Sequence, residues 1–409
     1  MLQEENELLS RVGPGTPMGR FMRRFWVPVL PSDRLVADAP PERVRLLGEN
    51  LVAFRAGDGR VGVFDEGCPH RGVSLALARN ADCALTCIFH GWKIDVSGKV
   101  LDVPPEPADR RAAFAARVKV RAYPTHEAAG IVFAWMGEGE PAPFPAFGWA
   151  ELPANHAYVT VGIVQASWLN GLEGQLDSAH VGILHSDWVS KGANFGKNNI
   201  DHTTHDLAPR FEFEDQPYGY REAAVRKMPD GRHYVRVREF VMPWYSYIPQ
   251  QGGRSAPQLM TISVPVDDET SMQWDVRYKL DAPIDTSRIL GIQDSPFMDA
   301  RVVMGGIDQR FGQDRARVSA GAWTGFSSVR HEDYAVAMSQ GAIPDREREH
   351  LSISDLSVVR ARRVLRQAVQ EHEKGNSHVS DDAAIDWSLI RSFAEIIPAE
   401  GDWRALPRG

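Results

Sequence analysis

The sequence predicts an α+β chain of two domains. Residues 1–145 read as an antiparallel β domain opened by a helical segment, and residues 146–409 as a domain with one large antiparallel sheet and flanking helices. Three observations predict this. Short apolar or alternating runs recur between turn residues from Val44 to Trp135, as in small antiparallel sheets. A proline-rich stretch, 140–145, follows and reads as an exit linker. Beyond it the alternating runs are longer and meander, and helical patterns dominate only near the carboxyl end.

In chain order, residues 3–11 predict a short helix with Leu8 and Leu9 as apolar positions, stopped by Gly13-Pro14-Gly15-Thr16-Pro17. In 18–30, Arg20, Arg23 and Arg24 interleave with Phe21, Phe25, Trp26 and Val27, which reads as an amphipathic segment packed on its aromatic side. Strands are expected at 44–47, 51–54 and 61–64, then at 92–96, 100–101, 118–123 and 131–135. The second domain begins with a strand at 158–163 and a helix over 168–184. Strands follow at 210–213, 222–227, 233–242, 258–266 and 271–280. Residues 333–340 and 354–374 predict helices, the latter with Ser354 as cap and Gly375 as stop. Its arginines, Arg360, Arg362, Arg363 and Arg366, read as a solvated face.

Two motifs carry chemistry. The first pairs Cys68-Pro69-His70 with Cys87-Ile88-Phe89-His90. Two thiolates and two imidazoles can hold a tetrahedral zinc, or a [2Fe–2S] cluster in which one iron takes both sulfurs and the other both nitrogens. Zinc clips favour C-x2-C or H-x3-H pairs, whereas C-x-H followed by C-x2-H lets each of two facing loops give one ligand to each iron. CPHRG at 68–72 and CIFHGW at 87–92 resemble the Rieske arrangement. Arg71, Gly72 and Gly91 suit close backbone approach to an anionic core. Cys83 matches no ligand position and reads as a small buried or loop thiol.

The second motif lies in 170–185, where Asp177 and His180 are spaced for one helix face and His185 follows. Five residues on a regular helix would turn His185 about 140° away from His180. Convergence on one metal therefore requires a π-type bulge or a helix end near Gly182. Two imidazoles and a carboxylate on one face of an ion are the facial triad of non-haem iron(II) oxygenases, because open positions remain for oxygen.

The remaining bounds are consistent with this chemistry. At 409 residues, 43% hydrophobic and 24% charged, the chain can bury two cores. A net charge of −8 gives no electrostatic case for nucleic acid or an anionic membrane. Three cysteines, two in the first motif, leave no disulfide framework, so a reducing cytoplasm is the expected location. The acidic start MLQEENELLSRVG does not read as a signal peptide, and no apolar run approaches the ~18 residues of a membrane helix.

Together the motifs, the opening ELLSRVGPGTPMGRFMRRFWVPV and the late segment EDYAVAMSQGAIPDREREHLSISD resemble the α (terminal oxygenase) subunit of Rieske non-haem iron aromatic-ring-hydroxylating oxygenases. The branch is that of phthalate dioxygenase and dehydrodivanillate O-demethylase. The resemblance implies a START/Bet v 1-like (helix-grip) catalytic domain. It implies Cys68, His70, Cys87 and His90 on the [2Fe–2S] cluster, and His180, His185 and an aspartate near the carboxyl end on a mononuclear Fe(II). We assign that aspartate as Asp333, over Glu332, Asp294, Asp299 and Asp308, because Val336, Ala337 and Gln340 give its helix a face that could pack beside 170–185. The resemblance also gives Asp177 a bridging duty, from His180 to His90 of the partner subunit, and places Asn170 near the iron as a helix-capping, core or catalytic amide.

Electrons would come from a flavin/ferredoxin-type reductase to the cluster and pass to the iron of an adjacent subunit in a homotrimer or dimer of trimers. The iron activates O2 with substrate nearby. Arginines on strands are costly to bury without an anion, so Arg210, Arg236 and Arg238 are expected to hold an aromatic carboxylate, phthalate-like or methoxylated and lignin-derived. Hydroxylation and O-demethylation would share this ligand set. The competing readings are a non-catalytic Rieske electron carrier fused to an aromatic-binding domain, and a zinc-stabilised β domain on a START-like binder.

Overall fold

The computed structural model describes residues 1–190, 202–250, 257–286, 295–376 and 384–408. The chain divides into two compact units, Val12–Phe144 and Met1–Arg11 with Pro145–Gly409.

In the first unit the β-rich sequence folds into three small sheets. Trp26–Pro31 pairs with Ile131–Trp135, which also pairs with Thr125–Ala128. Glu42–Leu46, Glu49–Arg55, Val61–Asp65 and Ala122–Tyr123 form a four-stranded sheet. Arg79–Ala81, Ala84–Thr86, Lys93–Asp95 and Val100–Asp102 form another. Between them lies a core of Val52, Phe54, Phe64, Leu75, Leu85, Trp92 and Ile94, which also encloses Cys68 and Cys87. Part of the segment expected to be one amphipathic piece is a wholly buried strand, Trp26–Pro31, preceded by the short helix Pro17–Met22 capped by Thr16. Residues 118–121 are not strand, and a helix, Ala108–Ala115, stands before them.

The helix Gln3–Ser10, expected to open the first domain, belongs to the second unit instead. Its polar side chains explain this. Asn6 donates to Pro344 O at 2.9 Å and accepts from Arg346 at 2.8 Å, and Trp168 Nε1 donates to Leu9 O at 3.0 Å.

The second unit is built on a nine-stranded sheet. Its order is Arg210–Gln216, Gly219–Lys227, His233–Val241, Tyr245–Ile248, Gln258–Pro265, Ser271–Tyr278, Ala157–Val164 and Phe297–Asp299, with Phe393–Ile397 paired to His233–Val241. All pairings are antiparallel except that of Phe297–Asp299 with Ala157–Val164. The central strands are buried on both faces, so parity decides what each side chain meets. Ala223, Val225, Val235 and Val237 pack with Phe393, Ile397 and Trp403. Register places Glu222 opposite Arg238, Ala224 opposite Arg236 and Arg226 opposite Tyr234, and this set takes the other face. On that side the helix Trp168–Leu176 crosses the strands Tyr245–Ile248, Gln258–Pro265 and Ser271–Tyr278.

The late helix Leu356–Glu373 buries Val358, Ala361, Leu365 and Val369 along one stripe. Its cap is not Ser354. Ser352 and Asp355 form a capping box on the 3-10 turn before it. Of its arginines, only Arg363 among the four keeps the expected exposure. Arg362 is buried between Glu173 and Glu349 at 2.7 Å each, Arg360 pairs with Asp215, and Arg366 with Glu5. Among the described residues, no helix is long and apolar enough to cross a membrane.

Candidate active site

The two Cys–His loops of the first unit are copies of one hydrogen-bond pattern. Cys68 N–H donates to Val73 O and Gly72 N–H to Cys68 O, both at 2.8 Å; Cys87 N–H donates to Trp92 O at 2.8 Å and Gly91 N–H to Cys87 O at 2.9 Å. Gly72 and Gly91 close the turns at φ +73° and +75°, conformations in which glycine carries no Cβ penalty. Both thiols are buried, while His70 is exposed and His90 half-buried. The imidazoles lie 4.6 Å apart between ring centres, and His70 stacks on Trp92.

These residues fit a cluster with a sulfur-bound iron inside and a nitrogen-bound iron outside. His90 Nδ1 is buried without a hydrogen-bond partner, as a ligand nitrogen would be. Burial pushes the Cys68 thiol up, while the amides of His70 and Arg71, turned towards its sulfur, favour the thiolate.

In the second unit a cavity of about 940 Å³ opens beside the sheet. His180, His185 and Asp333 line it, and one ligand atom from each lies within 4.8 Å of the others. His185 Nε2 is 3.2 Å, and His180 Nε2 3.9 Å, from Asp333 Oδ1. The chain achieves this convergence by ending the helix early. The helix stops at Leu176, not 184; Asp177 follows with extended backbone, and His180–Gly182 is a single 3-10 turn. Asp177 and His180 therefore do not share a helix face. They meet across the break, with Asp177 Oδ2 3.4 Å from His180 Nδ1 and Asp177 Oδ1 accepting from Ala179 N–H at 2.7 Å.

Asp333 projects from the helix Val329–Ser339, whose first turn is capped by Ser328 accepting from His331 N–H at 3.3 Å. Tyr334, Ala335 and Met338 bury the helix, Val336, Ala337 and Gln340 line the cavity, and the helix lies against Trp168–Leu176 as expected. Burial alone would raise Asp333, but His185, then His180, hold it below the usual carboxylate range. Burial likewise opposes ionisation of Asp177, and His180 more than offsets it. For His185 burial works against the charged form, yet Asp333 and Glu332 push it up to about 10. This is a strongly electronegative pocket around two imidazoles, the setting a divalent cation requires.

Glu332, weighed above as a competing ligand, holds a different position. It is fully buried and is not turned towards the triad centre; its Oε2 lies 2.6 Å from His185 Nδ1, on the far side of that ring. Its only signal in the sequence is adjacency to Asp333. The other competing carboxylates are elsewhere engaged. Asp299 caps the helix Ala300–Val303 and pairs with Arg301; Asp308 lies in an exposed 3-10 segment; Asp294 lies outside the described residues.

Of two further residues, Asn170 takes one of the roles left open to it and Arg210 is corrected. Asn170 lines the cavity as a buried core amide. Its Oδ1 accepts from Ser167 at 3.0 Å and Arg346 at 2.7 Å, and its Nδ2 donates to Gly341 O at 3.2 Å. Arg210 is exposed on the first strand of the sheet, paired with Glu212 and remote from the cavity lining. Arg236 and Arg238 do line the cavity, 4% and 2% exposed.

Comparison with known proteins finds a match to each part of the chain. Residues 25–124 match the Rieske [2Fe-2S] domain family, and residues 134–408 the family described as LigXa C-terminal domain like. The phthalate 4,5-dioxygenase oxygenase subunit of Pseudomonas putida is 38% identical over 417 residues, covering 98% of this chain and 93% of that protein. The 3-chlorobenzoate-3,4-dioxygenase oxygenase subunit of Comamonas testosteroni is 34% identical over 422 residues, covering 98% and 96%. Among solved structures, a carbazole-bound oxygenase variant in complex with ferredoxin, from carbazole 1,9a-dioxygenase, has the same fold: TM-score 0.59 at 19% identity, covering 92% of this chain and 98% of that one. A cluster-bearing domain joined to a cavity with an open His–His–Asp set is a catalytic arrangement and not a passive carrier. With identity of this level along nearly the whole chain, it follows that the protein belongs to the Rieske oxygenases, as an oxygenase subunit that uses a [2Fe–2S] cluster and a mononuclear iron.

Proposed function

We propose that the enzyme hydroxylates or O-demethylates an aromatic carboxylic acid, with Arg236 as the residue that recognises the acid. The observation that carries this is a buried charge without a counter-charge. Arg236 donates from Nη2 to Pro249 O at 3.1 Å, its Nε has no partner, and no carboxylate lies within 4.0 Å among the described residues. Arg238, on the same strand face, has among the described residues Glu222 at 3.8 Å and the carbonyls of Leu176 and Asp177. Two guanidiniums and one carboxylate leave an excess of positive charge on this strand face. An unpaired buried charge is unfavourable, and a planar carboxylate that accepts from a guanidinium fork relieves it.

In this reading Cys68, His70, Cys87 and His90 hold the cluster, and His180, His185 and Asp333 hold the iron. The iron, when bound, supplies the activation of O2 that an organic side chain cannot. The protein's own groups bind and orient. Arg236 and Arg238 fix the acid end of the substrate, and Val181, Leu184, Leu259 and Val329 give the aromatic ring an apolar wall. Asp177 holds His180 by Nδ1 and is the group through which electrons would arrive from the partner subunit's cluster in a homotrimer or dimer of trimers, fed by a flavin/ferredoxin-type reductase.

The test is a panel of phthalates, benzoates and methoxybenzoates, each beside its methyl ester, scored for stimulated O2 uptake and followed by mass spectrometry. Acids that stimulate uptake and gain oxygen or lose a methyl group, with esters inactive, are the expected result. Equal response to acid and ester removes the proposed role of Arg236.

A further inference from the structure

We propose that Glu332, clamped by Thr324, is a positioning residue that fixes the orientation and tautomer of His185 and supplies the buried negative charge its metal complex needs. The inference rests on the iron-site reading above.

Both carboxylates of the Glu332-Asp333 pair reach the same imidazole, from opposite sides. Asp333 Oδ1 lies 3.2 Å from Nε2, within the triad; Glu332 Oε2 lies 2.6 Å from Nδ1, behind it. A neutral imidazole donates from one nitrogen and offers a lone pair at the other. A carboxylate is acceptor-only, so Glu332 claims the Nδ1 proton and leaves the Nε2 lone pair facing the cavity, where a metal would be.

Glu332 is itself tightly held. Its other oxygen accepts from the Thr324 hydroxyl. Thr324 is fixed in turn, its carbonyl accepting from Gln313 Nε2 at 2.7 Å, while the preceding Trp323 N–H donates to Asp187 Oδ2 at 2.7 Å. No Arg or Lys comes within 4.0 Å of the Glu332 carboxylate among the described residues; its one ionic partner is His185. A fully buried carboxylate with no permanent cation is costly to keep. A divalent ion acting through His185 supplies the missing charge, which gives the geometry a reason to exist.

The two histidines are therefore unequally supported. Behind His180 stands Asp177, 3.4 Å from Nδ1, 28% exposed and shared with the Ala179 amide. Behind His185 stands a shorter contact to a carboxylate with no exposure at all.

The experiment uses the full chain with its cluster retained and its mononuclear site emptied by mild chelation. Fe(II) and Co(II) are then titrated anaerobically by equilibrium dialysis with elemental analysis. E332A is expected to bind either ion about 10–100-fold more weakly than the parent, as loss of an outer-sphere carboxylate behind a ligand histidine generally does. E332Q, whose amide oxygen can still accept from Nδ1, should fall between them, and T324V should resemble E332Q. The high-spin Co(II) EPR signal should broaden in E332A, while the reduced cluster signal stays unchanged.

A parent protein that takes up neither ion overturns the iron-site reading and this inference with it. A parent that binds, beside E332Q and E332A that bind as tightly, overturns this inference alone. So does an E332A whose Co(II) EPR signal matches the parent's, for a residue that only supports the fold leaves the surroundings of the bound ion unchanged. If E332A does not fold, E332Q and T324V carry the same test.

Discussion

Replacing Arg236 by methionine separates recognition of a substrate from support of the fold. Among the described residues the guanidinium of the free protein has one hydrogen bond, to Pro249 O at 3.1 Å, with its Nε unpartnered and its charge unpaired at 4% exposure. Losing the bond costs about 0.5–1.5 kcal/mol, and removing an unsatisfied buried donor returns about 1–3 kcal/mol. The two nearly cancel, with a lean towards stabilisation. With an aromatic acid bound the balance reverses, because breaking a buried, hydrogen-bonded charge pair costs about 2–5 kcal/mol. At about 1.4 kcal/mol per decade this is roughly a 30- to several-thousand-fold loss in kcat/KM. A methyl ester loses only a neutral hydrogen bond, about two- to tenfold.

The assay is kcat/KM for phthalate and for its methyl ester with a reductase supplied, alongside thermal melting of the substrate-free protein. The expected pattern is a large loss for the acid, a small one for the ester and an unchanged or slightly raised Tm. Equal losses for acid and ester, or a Tm lowered by more than several degrees, would refute the reasoning. The first outcome makes Arg236 indifferent to charge; the second makes it part of the core.

Other perturbations bear on different parts of the account. Asp177→Asn keeps Oδ1 available to the Ala179 amide but removes the charge beside His180 Nδ1. It should leave both metals bound and the cluster reducible, while product formed per electron consumed falls by at least about tenfold; unchanged coupling would discount the bridge. A pH effect on stability is expected at Glu239, which burial pushes up to about 7 from 4.5 against the pull of Arg221 and Tyr218. The folded form there holds a proton that the unfolded form has lost, so this contribution to stability is full below 4.5 and disappears as pH rises through 7. Glu239→Gln should flatten the pH dependence of urea unfolding across that window, with Arg221 still paired to Glu214 at 2.8 Å; an unchanged slope would argue against it.

What the sequence made legible, and what it hid, follows from how local each signal is. The Cys–His loops are read directly, because ligand spacing within a loop is preserved when the loop folds, and the structure repeats one hydrogen-bond pattern at Cys68 and Cys87. That the backbone must break between His180 and His185 follows from helix geometry alone; where it breaks does not, because an extended residue at Asp177 is dictated by packing. Parity showed that Arg236 and Arg238 share a face, but not that this face meets a cavity. That depends on Trp403 and Ile397 closing over the opposite side, from far along the chain. The strands Tyr245–Ile248 and Phe393–Ile397 were missed because they are short and their pairing partners, not their own composition, make them strands. Arg362 and Arg366 were misread, and the role of Asn170 was left open, for a related reason. A polar side chain reveals its role only through partners distant in sequence, as Glu173, Glu5 and Arg346 are here. Glu332 has the same character, since its partner His185 is 147 positions away.

The central claim is that one chain carries an electron-storing cluster and a separate iron cavity that spends those electrons on a bound aromatic acid. A single turnover tests it most directly: protein loaded with Fe(II), its cluster reduced, mixed with phthalate or a methoxybenzoate and exposed to labelled oxygen without reductase. The account predicts that the cluster oxidises in step with the appearance of labelled hydroxyl, or of demethylated acid, and that Asp333→Ala retains the reduced cluster yet forms no product. Cluster oxidation at the same rate with no product from any acid in the panel, or unchanged product from Asp333→Ala, would contradict it.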